Sequence, residues 1–465
     1  MIGDKITRKA DDGHRPIITE NIPDTEMSQV MQNEPSGDYY DYTKTMKPER
    51  PYMLPWHQKY VYRIMHATRG GTGTYSADPE MAAGRPPENR YLFGDGRINR
   101  LYLTFEDALE VIKRVHHITC GTPQIVLLTG WQFEGHDSKY PSWARVNKHL
   151  KRPQDQTALD SLRWLIREAR KYNCLATLHI NMFDAYEDSP LFDMYAAKDI
   201  LAKDKDGKLI VGNRWSGMDC YHVSYTQEWK HGLAQRRIDE LIEMVPEIQE
   251  NHCVYVDAFL GARKADQKGP ISPYLGYSKE EEARTMRKIF RYWRDRDIDV
   301  AGEHVHGIRV DRFVGLQPHT ASQMEHIEDL PNELFCGNPA HFGFTSIQLP
   351  DEFIGAFYAQ FLPWFNANHP KGAGDLNKAC DGTDICMPVR WCEEPTLLAY
   401  SADGYDSKTW QLPEDWQGVE KAYLAKVTQT GLVPAGEVPV ADGAITLSLG
   451  ANAAIAVTQK PVCAR

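Results

Sequence analysis

The chain has 465 residues, of which 42% are hydrophobic and 25% charged, an ordinary globular composition. Its formal net charge is -11, so it lacks the basic face that nucleic-acid phosphates require. No apolar run approaches the roughly 20 residues of a membrane helix, and the charged opening stretch MIGDKITRKADDGHRP has no apolar signal core. The nine cysteines include no CxxC pair, and Cys380, Cys386 and Cys392 stand at an even spacing of six. Free thiols and a cytoplasmic location are therefore expected, with a secreted protein lacking its signal peptide as the alternative.

Residues 1–94 are rich in Pro, Gly and Asp and read as an irregular segment packed on the rest of the chain. From residue 95 the pattern changes. TFEDALEVIKRVHHI has helical spacing at Ala108, Leu109, Val111, Ile112 and Val115, with Thr104 as N-cap. PQIVLLTGW reads as a buried strand, DQTALDSLRWLIREARKYN as a helix and CLATLHIN as a strand. TQEWKHGLAQRRIDELIEMVP is expected to be one helix and HCVYVDAF a strand. SKEEEARTMRKIFRYWRDRD is a helix capped by Ser278, IDVAGEHV a strand, and FIGAFYAQFLPWFNANHP the last helix. Strands apolar on both faces that alternate with amphipathic helices imply a parallel sheet covered on both sides. The spacing, and the absence of a Gly-rich phosphate loop, predict a (β/α)₈ barrel over 95–377 rather than an open sheet. Alternating strands and turns after 378 predict a β-sandwich-like domain over 378–465.

Barrels present functional side chains at the C-terminal ends of their strands. Four successive strand ends are polar here, giving Glu134, His136 and Asp137, then His179, Asn181 and Asp184, then Asp257, then Glu303 and His304. Singly, each is more often a turn-capping acid or a satisfied imidazole. Together they suggest a site, and the acids Asp257 and Glu303 fit the paired carboxylates of glycoside hydrolysis. The 11 Trp, 23 Tyr and 15 Phe leave aromatics to spare for stacking on sugar faces, with Trp131, Trp215 and Trp391 as candidates, Trp391 equally a core residue.

The segment WQFEGHDS at 131–138 resembles the Gln-Ser-Glu-Gly-His-Asp-Ser motif of glycoside hydrolase family 101, the endo-α-N-acetylgalactosaminidases, with Phe133 in place of its Ser. HIN at 179–181 is similar to that family's His-x-Asn. VYVDAF resembles its nucleophile strand, and RWSGMDCYH at 214–222, with Trp215 and Asp219, its preceding loop. The likeness spans roughly 95–310. It implies a retaining mechanism on an α-linked galactosaminide or galactoside, with Asp257 as nucleophile, Glu303 as acid/base, and His136 and Asp137 gripping the terminal sugar. The short chain is also similar to family 129, intracellular exo-acting enzymes, which implies exo action. This reading expects a glycoside substrate, no cofactor, no metal, and no nucleic-acid or membrane partner; oligomeric state is not legible.

Two rival readings remain. A metal-dependent hydrolase of amidohydrolase type would use the HxH pair His304 and His306, completed by His179, Asp257 and Glu303; residues i and i+2 of a strand share a face. A non-catalytic sugar-binding barrel would bind without turnover. DKDGK at 204–208 lacks the ligand spacing of a calcium loop and reads as a β-turn.

Overall fold

The structure is a computed structural model that describes residues 5–9, 16–20, 50–69, 90–93, 97–215, 217–258, 271–302, 317–318, 343–367 and 379–462. Its centre is a parallel sheet in which successive strands lie side by side. Tyr60–Met65, Gln124–Thr129, Cys174–Asn181, Cys253–Asp257, Asp299–Gly302 and Gln317–Pro318 come one after another in chain order and in space. Gly343–Phe344 then pairs, again parallel, with the free side of the first strand. A doubly wound sheet reverses its strand order; this one never does, and its late strand returns to its first. The result is a TIM-barrel-like core.

Alternate side chains along these strands enter different cores. Val61, Ile125, Leu127, Cys253, Tyr255 and Ala301 form one cluster, while Tyr62, Ile64, Val126, Leu128, Val254 and Val256 join the larger core shared with the helices. The first set lines the barrel interior. Residues two further along, such as Asp257 after Tyr255, share that inward face.

The covering helices start where local chemistry fixes them. Phe105–Ile118, Ala158–Ala169 and Lys279–Arg294 each open with a capping box, on Thr104 and Asp107, Thr157 and Asp160, and Ser278 and Glu281. The first buries Ala108, Leu109, Val111, Ile112 and Val115, the face expected from its spacing. The single helix expected over 226–246 is instead two, Tyr225–Lys230 and Leu233–Met244. Gly232, in the left-handed region at φ 70, breaks the helical run between them. The last helix carries a π-helical stretch, Phe357–Phe361, between Asp351–Ala356 and Leu362–Ala367. Its Phe353, Phe357 and Phe361 pack on Tyr60, the Phe361 ring at 4.6 Å.

That contact marks a difference from the sequence reading. The parallel sheet begins at Tyr60, inside the stretch read as irregular, because YVYRIM is short and carries Arg63. The DKDGK segment is a turn, with Asp204 N–H donating to Lys208 O at 2.8 Å. After residue 379 the chain forms an antiparallel domain. A six-stranded sheet and a two-stranded sheet, Tyr405–Gln411 with Ala444–Leu449, enclose Leu397, Trp410, Trp416, Ile445, Leu447 and Val457. It is fastened to the barrel by Tyr358 stacked on Tyr400 at 4.8 Å and by Trp391, whose indole donates to the Thr119 and Cys120 carbonyls. Among the described residues no helix is long and apolar enough to cross a membrane.

Candidate active site

His179 lies in the strand Cys174–Asn181 and Asp257 ends the neighbouring parallel strand. The register pairs His179 with Tyr255 and Asn181 with Asp257, so His179 and Asp257 stand one inward-facing position apart on adjacent strands. The Tyr255 ring packs beside the His179 imidazole at 4.7 Å. His136 comes from the loop after Gln124–Thr129. That loop is held against residues 67–69 by His136 N–H donating to Ala67 O at 2.8 Å and by a bridge between Thr68 and His136. Gly130 and Gly135 make this approach possible. Both have positive φ, 76 and 115, and a Cβ on either would fall within 2.5 Å of the Ala67 backbone.

These three residues converge. His179 Nε2 lies 3.6 Å from Asp257 Oδ1, and the His136 and His179 rings stand edge to face at 5.0 Å. One donor atom from each falls within 4.8 Å of the others. His179 is fully buried, and neither of its ring nitrogens has a hydrogen-bond partner among the described residues; the same holds for His136 Nδ1. Burial lowers the His179 pKa, against the opposing pull of Asp257. Burial acts to raise the Asp257 pKa, but the His179, His136 and Arg63 side chains outweigh it and hold the carboxyl well below the usual range. Two imidazoles and a carboxylate at a barrel mouth are a donor set for a divalent first-row cation. Bonds of about 2.1 Å place tetrahedral donors about 3.4 Å apart, close to the His179–Asp257 separation.

The other expected residues divide. Asp184 is buried beside the cluster, where burial, with the Asp137 and Asp257 charges, pushes its pKa up to about 7. Asn181 is spent on local structure. Its Oδ1 accepts from Phe183 N–H and Asp184 N–H, and its Nδ2 donates to Asp184 Oδ2, each at 2.8 Å. Asp137 sits next to His136, 3.6 Å from its Nε2. Glu134 accepts from the Ser138 hydroxyl. Trp131 is fully buried and donates to His179 O at 3.0 Å, so it shows no face for sugar stacking and instead steadies the ligand strand. Trp391 is likewise packed, against Phe365 at 4.9 Å. Trp215 and Asp219 lie on a hairpin, Val211–Trp215 with Met218–His222, where a loop was expected. Trp215 is exposed, and Asp219 faces Arg214 at 3.6 Å. Glu303, His304 and His306 lie outside the described residues.

The expectation of a metal-free, retaining galactosaminide or galactoside hydrolase, with Asp257 as nucleophile and Glu303 as acid/base, is corrected by this geometry. The described groups that set the Asp257 charge are imidazoles and Arg63, and the cluster they form is one able to hold a metal ion. That agrees better with the metal-dependent alternative, through His136, His179 and Asp257 among the described residues. The signal was present in the sequence, since each ligand closes or succeeds one of three consecutive strands. It was read as sugar-binding because imidazoles and acids serve both chemistries.

Comparison with known proteins matches residues 101–309 to the model of a family described as endo-alpha-N-acetylgalactosaminidase. Among solved structures, an alpha-N-acetylgalactosaminidase from Bifidobacterium bifidum is similar at 16% identity and a TM-score of 0.41, over 57% of this chain. The chain spans 37% of the length of that protein. An alpha-amylase from Geobacillus thermoleovorans is similar at 12% identity and a TM-score of 0.43, over 86% of this chain and 98% of its own. The match runs from the first covering helix through the strands that carry His179 and Asp257, and over that length the chain is similar to the endo-alpha-N-acetylgalactosaminidase family.

Proposed function

We propose that the protein is a metal-dependent hydrolase that cuts glycosidic bonds in a carbohydrate substrate. The observation that carries this reading is the cluster of the buried His179 with the partly buried His136 and Asp257 at the barrel mouth. The family match supports the substrate class.

His179 and Asp257 would hold the cation from the barrel wall, and His136 from the loop above. A cation there supplies Lewis-acid polarisation of a substrate or water oxygen. The protein's own groups do the rest. Asp257 remains ionised, so its charge is available to a cation without first losing a proton. Tyr255 and Trp131 fix the His179 ring and strand, which keeps one ligand from moving. Asp184, with a pKa near 7, can keep a proton inside the pocket at neutral pH. The seven described cysteines are unpaired, which suits a reducing compartment.

The test is turnover of a panel of aryl α- and β-glycosides by protein stripped with a chelator, then resupplied with zinc, manganese or cobalt. Activity should vanish on stripping and return with one cation, and His179→Ala should not respond. Full activity after stripping, with metal content confirmed below a few percent occupancy, would refute the metal reading. No turnover of any glycoside by metal-loaded protein would refute the substrate class.

A further inference from the structure

Arg69 comes directly after the two-residue strand Ala67–Thr68 and is almost fully buried. Its guanidinium touches three segments of the chain. One nitrogen lies 2.5 Å from Asp188 Oδ2 and 3.4 Å from Ser138 Oγ, and another contacts the Met218 sulfur. Its Cζ stands 4.9 Å over the Tyr186 ring. Its backbone N–H donates to His136 O at 3.2 Å. Ser138 is two residues beyond His136, while Tyr186 and Asp188 lie just beyond Asp184. Met218 starts the strand that pairs with Asp184–Tyr186.

We propose that Arg69 is a positioning residue that holds the His136 loop in ligating geometry, an inference that rests on the metal site above. The loop is tied by backbone bonds from Phe133 N–H to Arg145 O and from His136 N–H to Ala67 O, and Arg69 adds a side-chain tie beyond them at Ser138. Phe133 and Asp137 have positive φ, 41 and 59, so its conformation is one that side chains rarely adopt unaided. The planar guanidinium bonds Asp188 and Ser138 while it lies over the Tyr186 ring, a combination that a lysine ammonium matches only in part. Arg69 reaches no ligand atom itself; it acts through the His136 backbone and Ser138.

Cobalt(II) is the probe, read by titration and by its visible absorption. Wild-type protein should bind cobalt with the intense bands of a low-coordinate site. Arg69→Met should weaken binding about 10- to 100-fold and alter the bands. Lys139 also pairs with Asp188, at 3.0 Å, so Asp188 keeps a cation and the metal-free fold should persist. Arg69→Lys should restore part of the affinity. Asp188→Asn, a second route to the same latch, should reproduce the weakening. Wild-type affinity and bands in both Arg69→Met and Asp188→Asn would overturn the positioning role while leaving the metal site intact. Absence of cobalt binding by the wild type would overturn both.

Discussion

Asp184→Asn should change how stability depends on pH. The Asp184 carboxyl is 5% exposed and sits near Asp137 and Asp257. Burial is the larger reason that its pKa rises from 3.8 to about 7, and the two neighbouring charges add to it. An acid whose folded-state pKa is raised gives its full contribution below the unfolded value and loses it as pH rises through the folded value. The window is therefore about pH 4 to 7. At about 1.36 kcal/mol per pH unit, the wild type loses about 4 kcal/mol across it from this one group. Asparagine keeps an acceptor for the Asn181 amide, which now donates to Asp184 Oδ2 at 2.8 Å, and does not ionise. Urea unfolding of both proteins, in chelator, at pH 4.5 to 8 measures the difference. The variant should match or fall slightly below the wild type at pH 4.5 and exceed it by several kcal/mol at pH 8. A stability difference constant with pH would show that Asp184 is ionised in the folded protein and refute the reasoning.

Three further changes test other parts of the structure. Gly130→Ala places a Cβ 1.9 Å from Ala67 O in a left-handed conformation, so the loop or residues 67–69 must move; a loss of about 2–3 kcal/mol is expected in chemical denaturation, with weaker cobalt binding. Arg294→Met removes the partner of Asp299, 2.6 Å away and 1% exposed, together with donors to the Arg50 and Pro51 carbonyls. A loss of about 3–5 kcal/mol should result, and an unchanged urea midpoint would contradict it. Thr157→Ala deletes the acceptor for Asp160 N–H at the start of an exposed helix turn. It should cost about 1 kcal/mol and leave glycoside turnover unchanged.

What could be read in advance came from short-range physics. The caps at Thr104 and Ser278 are local, since side chain and backbone donor lie three residues apart, and both helices start where the sequence placed them. The rim of the barrel was legible from the polar ends of four successive strands, which put His179 and Asp257 on one side. Less legible was anything set by distant partners. YVYRIM becomes the first barrel strand only because Gln124–Thr129 pairs with it and Phe353, Phe357 and Phe361 cover it. Trp131 is held by a partner 48 residues away, the His179 carbonyl, which no local pattern shows. Arg69 carries no motif, and its partners lie 69, 119 and 149 residues away in the chain.

The electrostatics of the pocket explain why these particular groups suit a cation. Asp137 and Asp257 act on the buried Asp184 carboxyl, where charges are poorly screened. A proton on Asp184 relieves part of that repulsion. It does nothing for His179, which is fully buried and whose two ring nitrogens lack hydrogen-bond partners among the described residues. A divalent cation between the imidazoles and Asp257 answers both problems, since it accepts the unused lone pairs and offsets the carboxylate charge. Proton and cation are then alternative ways to neutralise one pocket. Acid that protonates the carboxylates should weaken cation binding, and a bound cation should favour ionised Asp184. The buried aspartate thus couples the metal site to pH without being one of its ligands.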